Sequence, residues 1–300
     1  MKKTTTLFTL ILFASGITRM YAQAPVAPSP VPKMADDFGR SAEIELLRKY
    51  KEQKKERVAE LELFTRQYID NLQKKSNVAP FPDTTCVITI PVVFHVFHTQ
   101  GNAAVTEAQI NSAMADLNLN WSGKNADWND VNSNFAAVKT YSKYRFVLAK
   151  KDPKGNPTNG IEYYYEQTGG WGKDFGMDDQ IANVARDNYK YFNIYITHDL
   201  YQSNVYNNSG VCWYPDVDMS NAGTARMVYN HVYLGQGGTS NNNLMFNREF
   251  THETGHFLNL AHTFDGLSCI DDATHGDQVS DTPPTDQAGG VCPTDGATNS

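Results

Sequence analysis

Residues 250–262 constrain this chain most, because they contain His-Glu-x-x-His and a third histidine six positions later. Residues four apart lie on the same face of an α-helix, so His252 and His256 can offer imidazole nitrogens to one metal ion. Glu253 lies beside that face and can reach a water on the metal. The spacing therefore predicts a metal-binding helix, and His262 is the candidate third ligand.

The third histidine requires a turn directly after this helix. His262 is too far along the chain to share the helix face, so we expect the helix to break after Leu258. Asn259 suits that turn, because asparagine adopts the left-handed conformation more readily than any residue except glycine.

Three imidazoles and one open position are typical of a catalytic zinc site rather than a structural one. Zinc in such a site lowers the pKa of its water to roughly 7 and polarises a scissile carbonyl. We therefore predict that His252, His256 and His262 bind zinc, and that Glu253 takes the water's proton and passes it to the leaving amine. A helix with surface histidines is the alternative. A downstream glutamate as third ligand has no candidate, because no Glu follows Glu253.

These residues resemble the metzincin peptidases, whose pattern is His-Glu-x-x-His-x-x-Gly-x-x-His, with Asn259 where the pattern has Gly. The flanking residues narrow the resemblance to the secreted pappalysin/cytophagalysin family. They are the stretches 248–251, 262–264 and 276–284, while 90–96 resembles the family's first strand. The resemblance implies an α/β (α+β) fold: a metzincin-like catalytic domain with a mixed twisted sheet, an active-site helix and a loop-rich C-terminal part, preceded by a helical pro-segment. It also implies protein or peptide substrates.

The same resemblance implies calcium near Asp277, Asp281 and Thr282. The segment after His262 is rich in aspartate, and closely spaced carboxylates and carbonyls suit a hard cation such as Ca²⁺. A solvated acidic loop is the alternative.

The sequence departs from the metzincin pattern after His262, where no Met and no Tyr occur. Metzincins have a Met-containing turn there, followed by a Tyr that contacts the metal site. We expect a catalytic domain at 81–300 whose C-terminal part is incomplete, with a native chain lacking the turn as the alternative. The departure keeps a second function open: a catalytically inactive, metal-holding remnant that acts as a binding module.

The N-terminal residues predict export. Lys2 and Lys3 precede the apolar run 7–14, and Ala22 stands before the expected cleavage point, so residues 1–22 are interpreted as a signal peptide of a secreted, extracellular protein. Residues 23–80 are interpreted as a pro-segment, a Pro-rich linker followed by an amphipathic helix over 41–75.

The resemblance implies that the pro-segment blocks the zinc and keeps the protein a zymogen. Because no Cys occurs between residues 23 and 85, Asp36 or Asp37 is the candidate blocking ligand. An exposed acidic pair is the alternative.

Cysteine content, net charge and hydropathy limit the possible disulfides, binding partners and membrane spans. The four cysteines are Cys86, Cys212, Cys269 and Cys292, which allow three disulfide pairings in an extracytoplasmic protein. The formal net charge of −7 argues against nucleic acid as a partner. Beyond the leader, no stretch of the sequence is long and apolar enough to predict a membrane span.

The apolar pattern predicts strands and helices that alternate along the catalytic part, which favours a mixed sheet. The predicted strands cover 87–98, 144–150, 161–165, 192–197 and 226–234, and the predicted helices cover 106–118 and 180–189. The resemblance places residues 226–233 in an edge strand whose backbone pairs with substrate. His95 and His98 are interpreted as packed or surface residues, because the three-histidine site is complete without them.

Overall fold

The computed structural model describes most of the predicted catalytic part of the chain. The described residues are 87–98, 105–131, 133–137, 139–165, 169–173, 176–214, 216–265 and 276–277, together with Leu63 and Gln67, which are both helical. The predicted signal peptide, most of the predicted pro-segment, the Asp36 and Asp37 pair, three of the cysteines and the candidate calcium residues Asp281 and Thr282 lie outside them.

In the described part of the chain, six strands form one mixed sheet. The strands are β1 (Ile88–His98), β2 (Tyr144–Leu148), β3 (Ile161–Tyr165), β4 (Phe192–Thr197), β5 (Gly210–Cys212) and β6 (Met227–Asn230). Their order is β2-β1-β4-β6-β5, and β3 also pairs with β1. Every pairing is parallel except that of β5 with β6, which confirms the predicted mixed sheet.

Within residues 87–265, four α-helices accompany the sheet. They are α1 (Glu107–Trp121), α2 (Asp178–Val184), α3 (Val217–Ala222) and α4 (Leu244–Phe257). Side chains cap the two long helices at their first turns: Thr106 accepts from the Gln109 N–H of α1, and Asn243 accepts from the Met245 N–H of α4.

The second predicted helix, 180–189, is wrong at its end, because α2 stops at Val184. The backbone N–H of Arg186 donates to the Asn193 side chain at 2.9 Å instead of continuing the helical ladder. Ala185, directly after α2, is already extended, with φ −58° and ψ 140°.

The predicted edge strand, 226–233, is also wrong. β6 spans only Met227–Asn230 and lies between β4 and β5, so the edge of the sheet beyond it is β5. After β6 the chain turns, and the Asn230 side chain fixes that turn by donating to the backbone carbonyls of His198, Tyr206 and Asn208.

Apolar side chains pack on both faces of the sheet. On one face, α1 and α4 cover the strands, and the Phe94 and Phe250 rings stack with centroids 6.3 Å apart. On the other face, the Phe97 and Trp171 rings stack at 3.9 Å within a second cluster that includes Tyr195. The first cluster anchors the helix that carries His252, because Phe250 is fully buried in it.

Among the described residues, no helix combines the length and apolar character needed to cross a membrane.

Candidate metal centre

Helix α4 presents one face to the sheet and another to the metal centre. Phe246 and Phe250 are buried against the sheet, while His252 and His256 lie on the other side of the helix, four residues apart. Asn120 of α1 donates to the Thr251 hydroxyl at 2.9 Å, which holds the two helices together beside the histidines.

The chain leaves α4 through the turn predicted from the sequence. Leu258 caps the helix, and Asn259 adopts a left-handed φ of 68°. The Leu260 N–H donates to the Gly255 carbonyl and the Asn259 N–H to the His256 carbonyl, both at 2.9 Å, which is a Schellman arrangement. This turn brings His262 back towards the helix.

Three histidine nitrogens converge at this point. The Nε2 atom of His256 lies 3.1 Å from those of both His252 and His262, and the latter two are 3.2 Å apart. Among the described residues, these three form the one His, Cys, Asp or Glu group compact enough to hold a metal. His256 and His262 are buried and His252 is exposed, so the centre opens to solvent beside His252.

The other ring nitrogens define which tautomers are present. The Nδ1 atom of His256 lies 2.8 Å from the Leu260 carbonyl oxygen, which can only accept, so Nδ1 carries the proton. The Nδ1 atom of His262 faces the Asp265 carboxylate at 3.4 Å. The Nε2 atom of His256 is therefore left with a lone pair, and the Nε2 atoms of His252 and His262 both lie 3.1 Å from it.

This donor set fits a zinc ion. Lone pairs held about 3 Å apart repel unless a cation lies between them, and neutral imidazoles are ordinary zinc ligands. Tetrahedral zinc with Zn–N distances of about 2.0–2.1 Å would separate its nitrogen ligands by about 3.4 Å, close to the spacing seen here.

Glu253 is buried directly beside the histidines, with 1% of its side chain exposed. The first residue of β5, Gly210, packs against it so closely that a Cβ atom there would lie 3.3 Å from the Glu253 Cγ. The edge strand and the carboxylate are thus neighbours, a relation that the sequence did not reveal.

His95 and His98 lie away from this centre, as predicted. His95 is fully buried on the opposite face of the sheet, where its Nε2 atom lies 2.9 Å from the Asn193 side-chain oxygen. Burial lowers the pKa of His95 to about 4. His98, at the end of β1, packs edge-on against Tyr165.

Two further histidines that the sequence analysis did not single out lie at the ends of neighbouring strands. The rings of His198 and His231 meet edge to face, with centroids 4.9 Å apart. Burial lowers the pKa of both residues, that of His231 to about 3. No described carboxylate or thiol completes a metal-binding group with them.

One of the three candidate calcium residues lies within the described part of the chain. Asp277 is half-buried beside Gly276, whose N–H donates to the Asp265 carbonyl at 2.8 Å. Calcium binding at Asp277, Asp281 and Thr282 stays a prediction.

Comparison with known proteins finds similar metalloproteases. The profile of the peptidase family described as pregnancy-associated plasma protein-A matches residues 176–299, which include α4 and all three histidines. An extracellular metalloprotease of Arthroderma gypseum is 24% identical over 228 residues, 74% of this chain and 64% of the relative. One of Neurospora crassa is 27% identical over 215 residues, 69% of this chain and 60% of the relative. The chain thus spans less than two thirds of the length of these relatives.

Solved structures of mirolysin from Tannerella forsythia share the fold. Mature mirolysin in complex with a cleaved peptide is 27% identical, with a TM-score of 0.56 over 67% of this chain and 74% of that one. A promirolysin mutant is 26% identical, with a TM-score of 0.59 over 80% of this chain and 73% of that one.

Proposed function

We propose that this chain, which is similar to the metzincin-type zinc metallopeptidases of the pappalysin kind, is an endopeptidase that hydrolyses peptide bonds within proteins or peptides. His252, His256 and His262 would hold the zinc, and Glu253 would be the general base. The observation that carries the proposal is the convergence of three Nε2 atoms within 3.2 Å of one another beside a buried glutamate.

The reaction divides between the metal and the protein. Zinc, when bound, would polarise the scissile carbonyl and make water a better nucleophile. The Glu253 carboxylate would accept a proton from the attacking water and give it to the leaving nitrogen, so that the amine departs neutral. Its burial beside Gly210 supports this role, because a buried, closely packed carboxylate is held in one place.

Strand β5 is the proposed docking edge for substrate. It is the terminal strand of the sheet and pairs with β6 on one side. An extended peptide could add to its other side through main-chain hydrogen bonds, which would bring a scissile bond close to Glu253 because Gly210 contacts that residue. The similar structure of mirolysin in complex with a cleaved peptide supports a peptide as the substrate.

Export and latency are parts of the same proposal. The names of the fungal relatives describe extracellular proteins, which supports secretion through the predicted signal peptide at residues 1–22. The promirolysin match covers 80% of this chain, against 67% for mature mirolysin, which supports a pro-segment at residues 23–80. Disulfides and calcium at Asp277, Asp281 and Thr282 complete the proposed secreted form.

The test compares wild-type protein with the Glu253→Gln variant on a library of peptides, with cleavage sites identified by mass spectrometry. The amide is isosteric with the carboxylate, so the buried position stays filled while the base is lost. We expect cleavage by wild type alone and about one zinc per chain in both proteins. A folded, zinc-loaded wild type that cuts nothing even after removal of residues 23–80, the proposed pro-segment, would favour the metal-holding binding module instead.

A further inference from the structure

Asp265 lies directly behind the third histidine of the metal centre. Its Oδ1 atom is 3.4 Å from Nδ1 of His262, and the His262 side chain is 3% exposed. The two nitrogens of an imidazole ring point in different directions, and Nε2 of His262 is the one that faces His252 and His256. The carboxylate therefore acts on the ring from the side away from the metal centre.

Asp265 is placed to orient a ligand rather than to be one. The compact ligand group within the described part of the chain consists of His252, His256 and His262, and the Asp265 carboxylate is outside it. A carboxylate that faces the Nδ1–H of a metal-binding histidine fixes the tautomer and makes the other nitrogen a stronger donor.

The local backbone fixes Asp265 in this position. Its N–H donates to the His262 carbonyl at 3.2 Å, and its own carbonyl accepts from the Gly276 N–H at 2.8 Å. The Phe264 ring stacks on the His262 ring, with centroids 4.4 Å apart, so the imidazole plane is held as well. The turn that follows His262 thus sets the direction of both the ring and the carboxylate.

The neighbouring ligand provides a contrast within the same site. Nδ1 of His256 donates to a neutral main-chain carbonyl, that of Leu260, at 2.8 Å. His262 faces a full negative charge, which interacts more strongly with an N–H than a neutral oxygen does. Of these two ligands, His262 is therefore the one whose Nδ1 atom faces a negative charge.

We propose that Asp265 is a positioning residue that holds His262 in the tautomer with its proton on Nδ1 and thereby strengthens zinc binding. This inference deepens the proposed function and rests on it, because it takes the three histidines to be the zinc ligands.

The experiment measures zinc affinity in the full chain rather than cleavage. Metal-free wild type, Asp265→Ala and Asp265→Asn compete with a chromophoric chelator for zinc, and each metal-free protein is also melted. Asp187→Asn is the matched control, because it removes the same charge from an exposed residue that pairs with Lys190. Cobalt substitution adds a visible spectrum that reports the ligand geometry.

We expect the zinc dissociation constant to rise about 10- to 100-fold in Asp265→Ala. The rise should be smaller in Asp265→Asn, whose amide oxygen can still accept a proton but carries no charge. The cobalt spectrum should change in Asp265→Ala, while Asp187→Asn should match wild type in both measurements.

Failure of the positioning role of Asp265 can be distinguished from failure of the proposed zinc site. If both Asp265 variants bind zinc as tightly as wild type, the positioning role is wrong, even if their metal-free forms melt earlier. If Asp265→Ala does not fold, the nearly isosteric Asp265→Asn decides the question alone. If His262→Ala binds zinc as tightly as wild type, or wild type binds none, the proposed zinc site fails and this inference fails with it.

Discussion

Near the candidate active site, a single added methyl group at Gly210 should strongly reduce both stability and activity. A Cβ atom at Gly210 would lie 2.6 Å from Cε2 of Tyr229 and closer still to its Cδ2. Tyr229 is fully buried, its hydroxyl donates to the Phe246 carbonyl at 2.6 Å, and its ring packs edge-on against Phe250. The ring cannot move aside without losing that hydrogen bond.

The size of the effect follows from these contacts. Overpacking a buried site costs about 1–3 kcal/mol, and a lost hydrogen bond adds about 1 kcal/mol. The free energy of unfolding should therefore fall by about 2–4 kcal/mol in Gly210→Ala, which corresponds to a drop in Tm of about 5–15 °C for a domain of roughly 200 residues. Because the same methyl group would press on Glu253, kcat should also fall, by up to about 100-fold.

Thermal melting of metal-free protein is the assay, and Gly255→Ala is its matched control. Gly255 lies inside α4, and a Cβ atom there would meet Leu260 at 3.7 Å, an ordinary contact. The control should be neutral or stabilising by up to about 1 kcal/mol, because alanine favours helix more than glycine does. A Gly210→Ala protein that melts within about 1 °C of wild type would refute this account of the edge strand.

Three further predictions concern the surroundings of the centre. Asn259 has a left-handed φ of 68°, which valine adopts only at a cost and glycine adopts freely. In denaturant unfolding, Asn259→Val should therefore destabilise the protein by about 1–2 kcal/mol, while Asn259→Gly should change its stability little. Equal losses in the two variants would contradict this account of the turn. The Gln109 side chain donates to the carbonyls of His231 and Leu234 and accepts from Thr239. Gln109→Leu should therefore lower the free energy of unfolding by about 2–4 kcal/mol and speed amide hydrogen exchange in residues 231–239. Unchanged exchange would argue against this link. Burial lowers the pKa of His95 to about 4, so the unfolded chain takes up a proton at higher pH than the folded one. The unfolding free energy of metal-free protein should therefore fall by roughly 3 kcal/mol as pH drops from about 6.5 to 4. The His95→Gln variant should show a weaker pH dependence, and an unchanged pH dependence would contradict this assignment.

Local geometry made the helix of the candidate metal centre predictable from the sequence. The spacing of His252 and His256 depends only on helix geometry, and the break after Leu258 depends on what Asn259 can adopt. Both features were confirmed, with φ of 68° at Asn259. The convergence of His262 on the same point follows from that turn.

Tertiary contacts explain what the sequence analysis missed. Strand β5 has three residues, Gly210–Cys212, too few to show an alternating pattern, so the sequence does not predict it. The resemblance assigns residues 226–233 to the edge instead. Helix α2 ends early because Asn193, seven residues beyond Arg186, takes that residue's N–H. Asp265 looked like one more acid in a loop that suits calcium, and only the fold brings it to His262.

X-ray absorption at the zinc edge of the purified protein tests the central claim most directly, because it reports which atoms surround the metal. If His252, His256 and His262 are the ligands, the spectrum should show three imidazole nitrogens and one oxygen ligand at about 2.0–2.1 Å, and His262→Ala should remove one of the nitrogens. A sulfur shell near 2.3 Å, or a shell without imidazole scattering, would contradict the account, since it would place the zinc elsewhere.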